Sequence, residues 1–113
     1  MAYNEELADR LREALLAVPR VVEKRMFRGI AFLVGGKMCI NVGDDELMIR
    51  IDPILHDELV EKPGCRSMKM KGKTLKGYVL VNADGRKTKK DFDYWVSLAL
   101  DFNKRAKVSK KKR

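Results

Sequence analysis

The sequence predicts a two-layer α+β fold, an antiparallel sheet of about five strands with helices on one face, in the order α-β-β-β-β-α-β-α. Three observations carry this. Apolar residues recur at helical spacing near both ends of the chain, as Leu7, Leu11, Leu15 and Val18 and again as Phe92, Trp95, Val96, Ala99 and Phe102. Between residues 21 and 51 lie four strand-like segments. The reversals joining them are short, and parallel neighbours would need long crossovers. Two amphipathic helices beside such a meander bury their apolar stripes by packing on it.

Asn4 is placed to cap the first helix, with Glu5 and Glu6 in the first turn, where the helix dipole favours acids. Pro19 stops it. Val21 to Phe27 is rich in β-branched and aromatic residues. Ile30 to Val34 is wholly apolar and reads as a strand buried on both faces or central in the sheet. Gly35-Gly36 is a two-residue hairpin signal. Lys37 to Val42 alternates, which predicts Met38, Ile40 and Val42 on one side and Cys39 on the other. Gly43-Asp44-Asp45-Glu46 is a solvated turn, and in Leu47 to Ile51 the residues Leu47, Ile49 and Ile51 point inward. Asp52-Pro53 signals a helix start, with a cap followed by proline at the first helical position. That helix carries Leu55, Leu59 and Val60 and ends before Pro63-Gly64. Cys65 to Gly77 reads as a lysine-bearing loop, Tyr78 to Val81 as a short strand, and Asn82 to Gly85 as a turn. Thr88 caps the last helix, with Asp91 three residues on.

At 113 residues the chain fits one domain with one core. Residues 1–103 are expected to form it, and 104–113 to be a basic, disordered tail. The net charge of +9 is unevenly spread: residues 1–65 hold nine basic and twelve acidic side chains, 66–103 nine and four, and 104–113 seven and none. Such a pattern permits a polyanionic partner. No apolar run approaches the ~20 residues of a membrane helix, and the acidic N-terminus is neither a secretory signal nor a transit peptide, so no membrane role is predicted and the expected location is the cytoplasm.

Cys39 and Cys65 belong to no CxxC pair, and His56 is the sole histidine. A zinc site would have to borrow carboxylates, so no metal or cofactor is predicted. The cysteines read as reduced thiols, one in a strand and one in a loop, and His56 as a surface residue. Gly72-Lys73-Thr74 fails as a phosphate loop, because Ser67 stands where that motif needs its first glycine and no helix follows. The acids of the first helix read as dipole partners, not as a catalytic pair.

Several strings, taken in order, resemble the TfoX N-terminal domain family from about Tyr3 to Phe102. Met26-Phe27-Arg28-Gly29 stands where the family has Met-Phe-Gly-Gly, with arginine replacing the first glycine. Gly36-Lys37-Met38 opens the third strand, and Glu46-Leu47-Met48-Ile49-Arg50 matches an acid-Leu-Met-x-Arg strand. Met68, Gly72, Lys76, Gly77, Tyr78 and Val79 match a further string, and Trp95 occupies the aromatic position of the last helix. The resemblance implies a bacterial-type regulator and not an enzyme. Two-domain members of that family are associated with natural competence and carry a further helical domain. This chain ends at residue 113, so a stand-alone N-terminal domain is expected.

The function expected is therefore a non-enzymatic regulatory or protein-interaction module, and a homodimer through an edge strand is compatible with it. The alternative is a nucleic-acid binder without sequence preference. It would use Arg66, Lys69, Lys71, Lys73 and Lys76, with Tyr78 for stacking, and Lys104, Arg105, Lys107, Lys110, Lys111, Lys112 and Arg113. An enzyme ranks third, because no nucleophile is paired with a base.

Overall fold

The computed structural model describes residues 3–26 and 29–106. Helix α1 (Glu5–Ala14) begins as its sequence dictates, with the Leu7 amide donating to the Asn4 side-chain oxygen at 2.9 Å. It ends at Ala14, so Val18 packs on the core from beyond the helix. Strands β1 (Val21–Met26), β2 (Gly29–Val34), β3 (Lys37–Val42) and β4 (Leu47–Arg50) follow. A 3-10 turn at Pro53–Leu55, capped by Asp52, leads into the single turn of α2 (His56–Leu59). Strands β5 (Cys65–Met70) and β6 (Lys73–Val81), a 3-10 turn at Ala83–Arg86 and helix α3 (Lys89–Asn103) complete the chain. The Asp91 amide donates to the Thr88 hydroxyl at 3.1 Å.

The expected element order holds, with one strand more than foreseen. The sheet has six strands in the order β1-β2-β3-β4-β6-β5, all neighbours antiparallel. The segment expected as a loop from Cys65 to Gly77 is instead β5, a tight turn and the first half of β6. Its lysines hid the strand signal. At the edge of the sheet a strand needs only one apolar face, and Lys69, Lys71 and Lys73 occupy exposed positions. Lys71 and Gly72 form the turn with φ of 54° and 80°. The register then slips between Ser67 and Lys69, and the extra residues fall in β6, where Gly77 takes φ 96°. Gly35 and Gly36 form the hairpin turn foreseen, both at positive φ.

Helices α1 and α3 cover one face of the sheet. Their Leu7, Leu11, Leu15, Phe92, Trp95 and Val96 join Phe32, Ile40, Val42, Ile49, Val79 and Val81 in one buried cluster. Ala31, Met38 and Met48 form a second, smaller cluster with Leu33, Met68, Tyr78 and Leu80 against it, on the opposite face. The prediction that Met38, Ile40 and Val42 share a side is overturned. Phe32 pairs with Ile40 but Leu33 with Met38, so Cys39 is an extra residue, a β-bulge. The bulge turns Cys39 into the main core beside Ile40 and sends Met38 to the other face. Cys65, expected in a loop, lies at the start of β5.

Phe27 and Arg28, which the family motif includes, lie outside the described residues. Gly29 is explained: a side chain there would collide with the carbonyl oxygen of Val42, because β2 and β3 pass too closely to admit a Cβ. We expect Gly29→Ala to cost about 1–3 kcal/mol by overpacking, read as a lower urea midpoint with the slope unchanged. An unchanged midpoint would show that β3 yields at no cost.

Candidate functional site

The face of the sheet that carries no helix is the most distinctive surface of the molecule. Met26 of β1, Met38 of β3, Met48 of β4, Met68 and Met70 of β5, and Leu75 and Tyr78 of β6 line one cavity of about 220 Å³. These are all the methionines except Met1. Both edge strands contribute, so the sheet curls until its edges confront each other across the groove. The main core contains no methionine. The groove continues past Met48, Met68 and Leu80 toward Asn41, Asn82 and the acidic turn Asp44 to Glu46. Sequence reading placed Met26, Met38 and Met68 in family strings but did not bring them together. The bulge at Cys39 and the curl of the sheet do so, and neither is written in local periodicity.

The candidate basic residues divide into two groups. Arg66 makes a two-pronged contact with Glu46 at 2.7 and 3.1 Å, and Lys76 pairs with Asp57 at 2.7 Å. Arg105 bridges Asp52 at 2.8 Å and Asp101 at 3.3 Å. The Lys76 ammonium and the Arg105 guanidinium hold the carboxyls of Asp57 and Asp52, respectively, below the usual carboxylate range. Lys69, Lys71 and Lys73, by contrast, have no ion pair among the described residues and are not neutralised in place. Tyr78 is half-buried on the methionine face, with the Arg50 guanidinium 5.9 Å from its ring centroid. Lys104 is exposed at the end of α3. Lys107, Lys110, Lys111, Lys112 and Arg113 lie outside the described residues, and so does most of the expected tail.

His56 is not on the surface. It is 1% exposed. The Gly77 amide donates to its Nδ1 at 3.2 Å, so that nitrogen carries no proton, and Nε2–H donates to the Ser67 hydroxyl at 3.0 Å. It ties α2 to the irregular stretch of β6 and to β5. Its partners lie 11 and 21 residues away, beyond the reach of local pattern. Burial pushes the Cys39 thiol up to about 12 and the Cys65 thiol up to about 11, so neither is a nucleophile at neutral pH. Arg50 has one guanidinium nitrogen buried without a hydrogen-bond partner among the described residues, and its Cζ lies 5.8 Å from the Phe102 ring centroid. Among the described residues no group of three or more His, Cys, Asp or Glu side chains is placed to hold a metal ion, and no helix is long and apolar enough to cross a membrane.

The model of the TfoX N-terminal domain family matches residues 13–103, most of the sequence. The chain belongs to the TfoX N-terminal domain family. No curated protein and no solved structure matches it significantly. In this TfoX N-terminal domain the family-motif positions serve two ends. Gly36, Gly72 and Gly77 supply positive φ at turns and at the irregularity in β6. The Lys37 ammonium donates to the Asn103 carbonyl at 2.6 Å, capping the C-terminus of α3. Trp95 donates its indole N–H to the Gly85 carbonyl at 2.9 Å inside the core. Met26, Met38, Met68 and Tyr78 go instead to the groove.

Two outcomes test this arrangement. His56→Leu should destabilise the fold by about 1–3 kcal/mol, because it leaves the buried Gly77 amide unpaired. Ser67→Ala should cost less, since Ser67 is only half-buried; paired urea titrations decide this, and equal costs would contradict it. The thiols are neutral in the fold and their pKa values are raised, so that contribution is complete below about 8.5, the unfolded value, and disappears as pH rises through about 11 to 12. Native protein at pH 8 should leave both thiols unlabelled by a chromogenic disulfide reagent, and denatured protein should label both.

Proposed function

We propose that this TfoX N-terminal domain is a non-enzymatic regulatory module that works in the cytoplasm by binding a protein through its methionine face. The observation that carries the reading is the segregation of every methionine but Met1 onto the sheet face left bare by the helices. Thioether side chains are flexible and polarizable, and surfaces rich in them adapt to partner shape. A groove open along its length suits a macromolecule better than an enclosed substrate. The partner can be a different protein or a second copy, for which the outer edges of β1 and β5 offer unpaired backbone.

One observation favours a second reading, binding of nucleic acid without sequence preference. Lys69, Lys71 and Lys73 project their charges from one hairpin without carboxylate partners among the described residues. Both readings are separated by capture at physiological salt with wild-type protein and with Met70→Glu, chosen because Met70 is 44% exposed and tolerates a charge. The methionine-face reading expects protein partners held by wild type and lost from Met70→Glu, with the melting temperature of the variant unchanged. Retention of the same partners by the variant would overturn it. Retention of nucleic acid alone, with affinity falling steeply as salt is raised, would favour the second reading.

A further inference from the structure

We propose that His56 is a proton-sensitive clasp on the methionine groove. As a neutral imidazole it pins the β5–β6 hairpin that walls the groove, and once protonated it lets that wall loosen. The clasp itself stands on local geometry. Its bearing on partner binding rests on the methionine face being the interaction surface.

The hairpin between Ser67 and Gly77 supplies Met68, Met70 and Leu75, three of the seven residues that line the cavity. Pairing of β4 with β6 ends at Arg50 and Tyr78, so residues 68–76 reach past the third strand and hold a ladder only with each other. His56 grips both strands at the base of this hairpin. Its Nε2–H donates to the Ser67 hydroxyl at 3.0 Å, and the Gly77 amide donates to its Nδ1 at 3.2 Å. The second bond has no substitute. Pairing between β5 and β6 passes from Ser67 with Val79 to Lys69 with Thr74, and pairing with β4 stops at Tyr78, so among the described residues Gly77 has no ladder partner on either side. Its carbonyl accepts from the Ile51 amide, which leaves its own amide to the imidazole.

One form of the ring fits this place. Nδ1 must be bare to accept from Gly77, so the proton of the neutral imidazole sits on Nε2. A second proton has only Nδ1 to go to, and there it points at the Gly77 N–H. Two donors then face each other, the amide is orphaned, and an unpaired charge is buried. The elements around the ring carry Asp57 and Glu58 on α2, Cys65, Arg66 and Lys69 on β5, Lys73, Lys76 and Tyr78 on β6, and Asp52 before the 3-10 turn. Arg66 is taken by Glu46, Asp57 by Lys76 and Asp52 by Arg105, and among the described residues no carboxylate bridges to the ring. Hydrogen bonds from Lys76 and Arg105 hold the Asp57 and Asp52 carboxyls below the usual carboxylate range, and burial raises the Cys65 thiol. Those groups therefore keep their charge state where an imidazole titrates. An imidazole that reaches water gains its second proton near about pH 6.5. The released form binds that proton and the clasped form does not, so release grows as pH falls.

Amide hydrogen exchange of the full chain, corrected for intrinsic rates, reads the release directly. Between pH 7.5 and pH 5 the opening equilibrium at Gly77 should rise about thirtyfold, the effect of one imidazole proton bound only in the released form. The hairpin amides should follow, while Ile40 and Ile49 in the sheet centre keep their protection. His56→Asn sets a neutral amide oxygen near the place of Nδ1 and should abolish the pH dependence at Gly77. An unchanged Gly77, a loss shared equally by Ile40 and Ile49, or a pH dependence that persists in the variant overturns the clasp. If the variant does not fold, the ring resonances of His56 in the wild type decide. They must titrate over the range in which Gly77 exchange accelerates, and a displaced range overturns the clasp as well. Capture of partners reads the consequence for the groove. Partners released from wild type at pH 5 but kept by His56→Asn support control of the groove by the clasp, and equal capture by wild type at both pH values overturns it. If Met70→Glu keeps its partners at pH 7.5, the interaction surface is wrong, and the Gly77 result still judges the clasp.

Discussion

Six strands in one sheet leave this chain too little helix to cover both faces, and most of the structure follows from that shortage. Helices α1 and α3 run 10 and 15 residues, and both lie on the same side. That side buries Phe32, Trp95 and a full set of branched aliphatics, the part of the fold in which apolar area is removed from water most completely. The opposite face must shield itself with side chains of its own sheet. Long, unbranched methionines lie across neighbouring strands and cover the backbone without a second layer. Curling of the sheet brings Met26 of one edge strand and Met70 of the other to the same cavity, and the face stays open there.

The same economy explains how polar groups are treated. Where the helices cover the sheet, each buried polar group has a specific partner: Trp95 with Gly85, Asn103 with Val34, and His56 with Gly77 and Ser67. Removing one member of such a pair leaves the other unsatisfied, which costs more than the bond itself contributes. On the bare face the side chains are mostly apolar; Asn41 donates to the Met26 carbonyl at 3.2 Å, and the Arg50 guanidinium keeps one nitrogen buried without a partner among the described residues.

What the sequence made legible was whatever depends on neighbours in the chain. Asn4, Asp52 and Thr88 cap as their positions imply. The glycine pair at 35 and 36 makes the hairpin, and the alternation of Leu47, Met48 and Ile49 puts those residues on the faces expected. What escaped depends on groups brought together by folding. One extra residue at Cys39 inverted the facing of Met38, since sheet side chains have a period of two. A lysine-rich edge strand passed for a loop because solvent makes no demand on its outward positions. His56 looked exposed because its hydrogen-bond partners lie on other strands. The groove needed the first two of these at once, so no local pattern could have drawn it, although the clustering of methionines between residues 26 and 70 was visible in the sequence.

The anchoring of the two ends has a mechanical consequence. The Asn4 amide donates to Gly43 at one end of the sheet, whereas Asn103 and Arg105 are fastened to Val34 and Asp52 at the other. The chain therefore enters and leaves roughly a strand length apart, about 20 Å. A domain of this kind, set within a longer polypeptide, is an in-line strut and not a side branch.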